Sequence, residues 1–219
     1  MARLRAAVAV LALSGAGWAA PAHAAGPSTT SLALSSPTSA YGQSVTATAR
    51  VVVPGGTPDG DVLFIVDGSS TKANLRGDGT ASITLPRALA GEHSVVARFV
   101  QYPDHQQGSE SAATSWVVTR ASTFVQVRVT GRGARTPTAV VLGAVGDFGT
   151  RPMGPVGVAV RHLGTGTVTR RAKTLDQAGG ATARLGILPT GRYRLRVTYA
   201  GDAQHLAERY SETFTVRQR

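Results

Sequence analysis

The sequence predicts an all-β protein made of two tandem sandwiches, and three observations carry that prediction. Short stretches of alternating apolar and polar residues recur from Ser31 onward, separated by Gly, Pro, Asp and Thr. No window holds a sustained apolar period of 3.6, so helices are not expected. The pattern also repeats once along the chain, which makes two copies of one module the simplest organisation.

In the first copy the strand pattern covers Ser31–Leu34, Val45–Val51, Val62–Val66, Ala81–Leu85, Ser94–Phe99 and Ser115–Val118. The second copy follows the same plan. Val62, Phe64 and Val66 after Pro58-Asp59-Gly60 correspond to Val156, Val158 and Val160 after Pro152-Met153-Gly154. Gly79–Leu85 aligns with Gly179–Leu185, and Gly91–Phe99 with Gly191–Tyr199, whereas extra residues around His162–Thr169 predict a longer turn in the second copy. The modules are expected at residues 28–119 and 121–217, joined by the short Thr119-Arg120-Ala121-Ser122, which leaves them limited freedom.

Residues 1–24 are expected to be a signal peptide. Arg3 and Arg5 precede the apolar stretch Ala6–Ala16, which is too short to span a bilayer, and Ala22-His23-Ala24 supplies the small-x-small cleavage pattern. Cleavage after Ala24 predicts a secreted, extracellular protein with no membrane span in its mature form. There is no cysteine, hence neither a disulfide nor a lipid-bearing cysteine, and the C-terminal residues Phe214–Arg219 carry no apolar tail or sorting signal.

The formal charge of +11 is unevenly distributed. From residue 25 to 119 there are five bases against seven acids, a net −2; from 120 to 219 there are sixteen bases against five acids, a net +11. An electrostatic partner would therefore prefer the second module.

The order and spacing of several turn motifs give the chain a family resemblance. Tyr41-Gly42-Gln43-Ser44-Val45-Thr46 opens the second strand, Gly55-Gly56-Thr57-Pro58-Asp59-Gly60-Asp61-Val62 precedes the third, and Tyr199-Ala200-Gly201-Asp202 closes the sixth of the second copy. On these the chain resembles tandem bacterial immunoglobulin-like repeats. The resemblance implies two tandem immunoglobulin-like Greek-key β-sandwiches after a signal peptide, and adhesive, carbohydrate-associated or spacer roles without catalysis. Both copies depart from the pattern: the first has Phe99-Val100-Gln101-Tyr102 in place of Tyr-x-Gly-Asp, and the second lacks the Tyr-Gly-Gln opening. Leu188-Pro189-Thr190-Gly191-Arg192-Tyr193 resembles a tyrosine corner, with His93 as its counterpart in the first copy.

No catalytic, cofactor or metal site is predicted. The histidines beyond the leader (His93, His105, His162, His205) are scattered, no Gly-x-Ser-x-Gly is present, and Asp59 and Asp61 are accounted for by a Pro-Asp-Gly turn. Asp202 is expected to be an Asx-turn residue rather than a calcium ligand, since no loop supplies enough oxygens.

The sharpest constellation is Arg192-Tyr193-Arg194-Leu195-Arg196-Val197. Strand alternation sends Tyr193, Leu195 and Val197 inward and sets Arg192, Arg194 and Arg196 outward about 6.7 Å apart. With the third, sixth and seventh strands in one sheet, Arg161 and Arg217 join them as a candidate anion-binding face, diluted by Glu212 on the neighbouring strand. Guanidinium groups suit phosphates and carboxylates; the alternative reading is an ordinary solvated sheet face in a chain biased toward Arg over Lys. The expected partner is a cell-wall or extracellular polymer, or another protein. Sequence-specific nucleic acid is not expected, because Trp116 and Tyr193 are committed to cores and few aromatics remain for stacking.

Overall fold

The structure is a computed structural model that describes residues 28–102 and 108–218. The expected leader, residues 1–24, and His105 lie outside the described residues. The described residues are all-β apart from one 3-10 turn at Asp147–Gly149.

The first sandwich comprises β1 (Thr29–Leu34), β2 (Thr38–Ala40), β3 (Thr46–Val52), β4 (Gly60–Val66), β5 (Ser69–Asn74), β6 (Thr80–Thr84), β7 (Gly91–Gln101) and β8 (Thr114–Thr119). One sheet has the order β1-β3-β6 and the facing sheet β2-β8-β7-β4-β5. Ladders are antiparallel except β2 with β8, which runs parallel. The second sandwich comprises β9 (Thr123–Thr130), β10 (Pro137–Gly146), β11 (Gly154–His162), β12 (Val168–Leu175), β13 (Gly180–Ile187), β14 (Gly191–Tyr199) and β15 (Glu208–Val216). Its sheets run β13-β10-β9 and β12-β11-β14-β15. Sequence neighbours such as β3 and β4 lie in opposite sheets, the crossover that defines immunoglobulin-like sandwiches.

Alternation produces this arrangement directly. Along β14 the burial pattern switches at every residue, with Tyr193, Leu195, Val197 and Tyr199 inside and the residues between them exposed. Each sandwich has its own core: Val45, Val62, Phe64, Val95, Phe99 and Trp116 anchor one, and Val140, Val158, Leu195, Tyr199 and Phe214 the other. Burying such side chains contributes roughly 1.5–3 kcal/mol each, which replaces the disulfide found in many sandwiches of this size.

Two details correct the expectations from sequence. Asp61 belongs to β4 rather than to a turn; its carboxylate accepts bonds from Lys72 at 2.8 Å and from the Tyr102 hydroxyl. Glu212 does not share the outer face with the arginines. It stands opposite Leu195 in the β14–β15 ladder, on the inner side, and accepts a 3.0 Å bond from the Tyr210 hydroxyl.

The tyrosine corner is present. The Tyr193 hydroxyl donates to the Pro189 carbonyl at 2.7 Å. In the first sandwich His93 makes the same four-residue return, with Nε2 2.8 Å from the Leu89 carbonyl, and its Nδ1 meets Asp67 at 2.6 Å.

Candidate functional surfaces

The arginine face is built by the ladders of the four-stranded sheet. Arg161 on β11 stands directly opposite Arg194 on β14, and Arg196 stands opposite Ala159. On the other side of β11, Ala159 is opposite Arg170 of β12. One row across the sheet is therefore Arg170, Ala159, Arg196, Ser211, and the next is Val168, Arg161, Arg194, Thr213. Arg192 extends the face at one end and Arg209, opposite Thr198, at the other. All six arginines are exposed.

No acid interrupts this face, and among the described residues none of the six arginine side chains forms an ion pair. Directly opposed like charges in a ladder are destabilising, so Arg161 and Arg194 are held together against their repulsion by the apolar side of the sheet. Gly157 and Ala159, the small outward residues of β11, leave a shallow trough between the flanking strands. It is lined by Ala159, Arg161, Val168, Arg170, Arg194 and Arg196.

Of the residues singled out from sequence, the structure brings Arg161, Arg192, Arg194 and Arg196 onto this one face. Arg217 lies past the end of β15, where its backbone pairs with Arg132 and Ala134. It lines a groove with Arg132, Thr136, Thr213 and Thr215, at the β15 border of the face and away from the trough over Ala159. Arg170 and Arg209 belong to the face but were not singled out. The run Val168-Thr169-Arg170-Arg171-Ala172-Lys173 does not alternate in polarity, so only the ladder reveals which of its cations faces outward.

A second constellation occupies the junction between the sandwiches. Asp202 Oδ1 accepts from the backbone N–H groups of Gln204 and His205, at 2.7 and 2.8 Å, and Oδ2 accepts from Met153 N–H at 2.9 Å and the Tyr199 hydroxyl at 2.8 Å. Burial raises the Asp202 pKa, yet these bonds and His205 outweigh it and hold the carboxyl at about 2. The Tyr199 hydroxyl is pushed well above its ordinary value by burial and by Asp202.

His205 Nδ1 is 2.9 Å from Asp202 and Nε2 is 3.0 Å from Thr150 Oγ1. Carboxylate, imidazole and hydroxyl in series is the order of a nucleophilic triad, but this one is sealed: His205 is 2% and Thr150 3% exposed. The Thr150 hydroxyl also lies 2.7 Å from the Asp147 carbonyl, and a Cβ at Gly146 would fall 2.2 Å from Thr150 Oγ1. With no space for a reactant, the network positions the loop. Its far side meets the first sandwich, where Tyr41 packs edge-on against His205 and Ala90 N–H donates to Gln204 Oε1 at 2.5 Å. Ala121 exchanges backbone bonds with Gln204 and Leu206, tying the linker into the same junction.

Among the described residues no group of three or more His, Asp or Glu is placed to hold a metal ion, and no helix is long and apolar enough to cross a membrane.

No curated protein matches the sequence. Among solved structures the chain is similar to a tetra-tandem repeat from the extending region of a large adhesion protein, at 14% identity and a TM-score of 0.45, over 88% of this chain and 50% of that one. It is also similar to the Yersinia pseudotuberculosis adhesin InvE, at 16% identity and a TM-score of 0.43, over 84% of this chain and 58% of that one. A third similarity is to the fibronectin(III)-like modules of Clostridium thermocellum CbhA, at 18% identity and a TM-score of 0.33, over 85% of this chain and 94% of that one. The chain thus spans 50% and 58% of the first two structures. The family model for the bacterial Ig-like domain (group 3) matches residues 32–119, the segment that holds the Tyr-Gly-Gln opening and the Pro-Asp-Gly turn. Over residues 32–119, the first sandwich, the chain is therefore similar to a bacterial Ig-like domain of group 3.

Proposed function

We propose that this chain works outside the cell as a non-catalytic surface-association module, exported by residues 1–24 and attached to an anionic wall or extracellular polymer through the arginine face of its second sandwich. The observation that carries the reading is the coexistence of six exposed arginines on one sheet face with no acid among them. A face that only needed to stay soluble would mix signs, because interspersed charges avoid self-repulsion.

The first sandwich, with a net −2 over residues 25–119, acts in this reading as a spacer that carries the attachment surface away from whatever holds the N-terminal side. The junction contacts of Tyr41 and Ala90 with the His205 loop support a stiff spacer rather than a loose tether.

The test is retention of the chain beginning at Ala25 on isolated bacterial cell walls and on neutral and anionic polysaccharides, at low and high salt, beside a variant with Arg192, Arg194 and Arg196 changed to Ser. Retention on anionic material that is lost in the variant and in high salt is expected. Equal retention of both proteins, or of neither, would overturn the arginine face as the attachment surface.

A further inference from the structure

Resting on that reading, we propose that the trough over Ala159 is a seat for tetrahedral phosphate and that the partner is a linear phosphodiester polymer of polyol units. The argument starts from the floor of the trough. β11 places Gly157, Ala159 and Arg161 outward in succession, so bare backbone at Gly157 and one methyl group at Ala159 lie between the arginine-bearing strands β12 and β14. In the row through Ala159, Arg170 and Arg196 are two ladder spacings apart, about 10 Å. Both side chains are long enough to reach over Ala159, and Arg161 and Arg194 close the same space from the next row.

Four arginines from three strands thus line one trough, with guanidinium groups long enough to turn towards a bound anion. A planar carboxylate offers two oxygens in one plane and saturates with one or two forks, whereas a phosphate carries oxygens in tetrahedral directions and can engage guanidiniums arriving from different sides. The remaining arginines continue the site lengthwise. Arg192 lies about 6.7 Å beyond Arg194 along β14, and Arg209 lies beyond Arg196 on the other side, so successive charges of an extended chain meet successive cations.

The rest of the face indicates what the polymer lacks. Its outward neutral members include Ala159, Val168, Thr198, Ser211, Thr213 and Thr215, none with an aromatic ring or side-chain amide, and Tyr210, which borders the groove beside Arg196 and Arg209, has its hydroxyl committed to Glu212. Recognition therefore falls on the charged backbone alone, which a polyol phosphate exposes without bases attached.

The experiment uses the chain from Ala25 and fluorescent long-chain inorganic polyphosphate as the probe, with polygalacturonate and a single-stranded DNA oligomer as competitors at matched charge. The decisive variant is Ala159→Glu, beside Ala159→Gln and a control, Arg128→Ser, on the opposite sheet. A glutamate at 159 sits between Arg170 and Arg196 and gives them a partner. Binding of polyphosphate is expected to fall at least tenfold while the thermal midpoint holds or rises, which separates loss of the seat from loss of the fold. Ala159→Gln should weaken binding less, and Arg128→Ser should leave it unchanged.

Unaltered binding by Ala159→Glu would overturn the seat, as would polygalacturonate competing as well as polyphosphate; cell-wall retention sensitive to the Arg192, Arg194 and Arg196 changes would survive either result. DNA outcompeting polyphosphate would overturn the polyol partner. No retention on any anionic polymer would instead remove the broader reading.

Discussion

The two sandwiches share a frame but not a surface. On the face that carries the arginines in the second, the first presents Glu92, Ser94, Val96 and Arg98 along β7, where β14 has Arg192, Arg194, Arg196 and Thr198. The cations of the first face are paired with acids: Lys72 bonds Asp61 at 2.8 Å and Arg98 bonds Glu110 at 2.6 Å. The inner positions of the same strands, Val95, Ala97 and Phe99 against Leu195, Val197 and Tyr199, are equally buried. The core alternation is thus common to both copies while the outward positions are free to diverge, and only the second copy gathers one sign of charge.

Transplanting one surface onto the other breaks this comparison most directly. Arg192→Glu with Arg194→Ser and Arg196→Val gives β14 the outward residues of β7 at the three positions where it carries arginine. Polyanion affinity should fall about 100-fold, roughly 2.7 kcal/mol, and the salt dependence should flatten as the charge contacts disappear. Titration at two salt concentrations checks this, with a melting curve expected to be unchanged or shifted upward.

The end loops give the next largest effect. Tyr199-Ala200-Gly201-Asp202 organises the junction, whereas its counterpart Phe99-Val100-Gln101-Tyr102 has neither the hydroxyl nor the carboxylate at those positions. Asp202→Asn removes the charged acceptor of Met153, Gln204, His205 and Tyr199 and should cost about 2–4 kcal/mol in denaturant unfolding of the second sandwich. In the unmodified chain the Asp202 carboxyl is held at about 2 in the folded state, below its ordinary 3.8. Its stabilisation is therefore complete above about pH 4 and lost as pH falls towards 2, which acid titration of the same transition reads out.

Smaller effects come from the corners. Tyr193→Phe leaves the Pro189 carbonyl without its donor and should cost about 1–2 kcal/mol, measured by thermal unfolding. At the equivalent position the bond to Asp67 raises the His93 pKa above its ordinary 6.5, and burial opposes this. A raised histidine stabilises fully below its unfolded value and loses that contribution as pH rises through its folded one. The first sandwich should weaken, by about 1 kcal/mol or less, as pH rises above 6.5, and His93→Gln should abolish that dependence.

The alternation of β14 made its inward and outward faces readable before any coordinates, and the corner was readable because Tyr193 follows Leu188-Pro189-Thr190-Gly191 at fixed spacing. Strands β2 and β5 were not. β2 is three residues long, and β5, Ser-Ser-Thr-Lys-Ala-Asn, is a polar edge strand whose conformation comes from pairing with β4 rather than from an apolar period. Arg170 stayed hidden for the same reason, since an edge strand with little to bury carries little pattern. Glu212 was misplaced because a strand's phase is set by its ladder, and its partner turned out to be Leu195. His205 gave no local signal at all: Asp202 is three residues away, but Thr150 and Tyr41 reach it only in the folded chain.

The parallel pairing of β2 with β8 bears on how the molecule responds to being pulled. Thr38, Ser39 and Ala40 lie beside Val117, Val118 and Thr119, with further bonds from Val117 N–H to Pro37 and from Tyr41 N–H to Thr119. These strands lie near opposite ends of the first sandwich's chain, so tension along the chain drags them past each other and loads their bonds simultaneously in shear. The second sandwich closes its own ends with a shorter clasp, Arg217 N–H to Arg132 and Ala134 N–H to Arg217. A module tethered at one end and gripped by its arginine face at the other would transmit force through the longer clasp while bypassing the shorter one, so the weaker closure lies outside the path of the load.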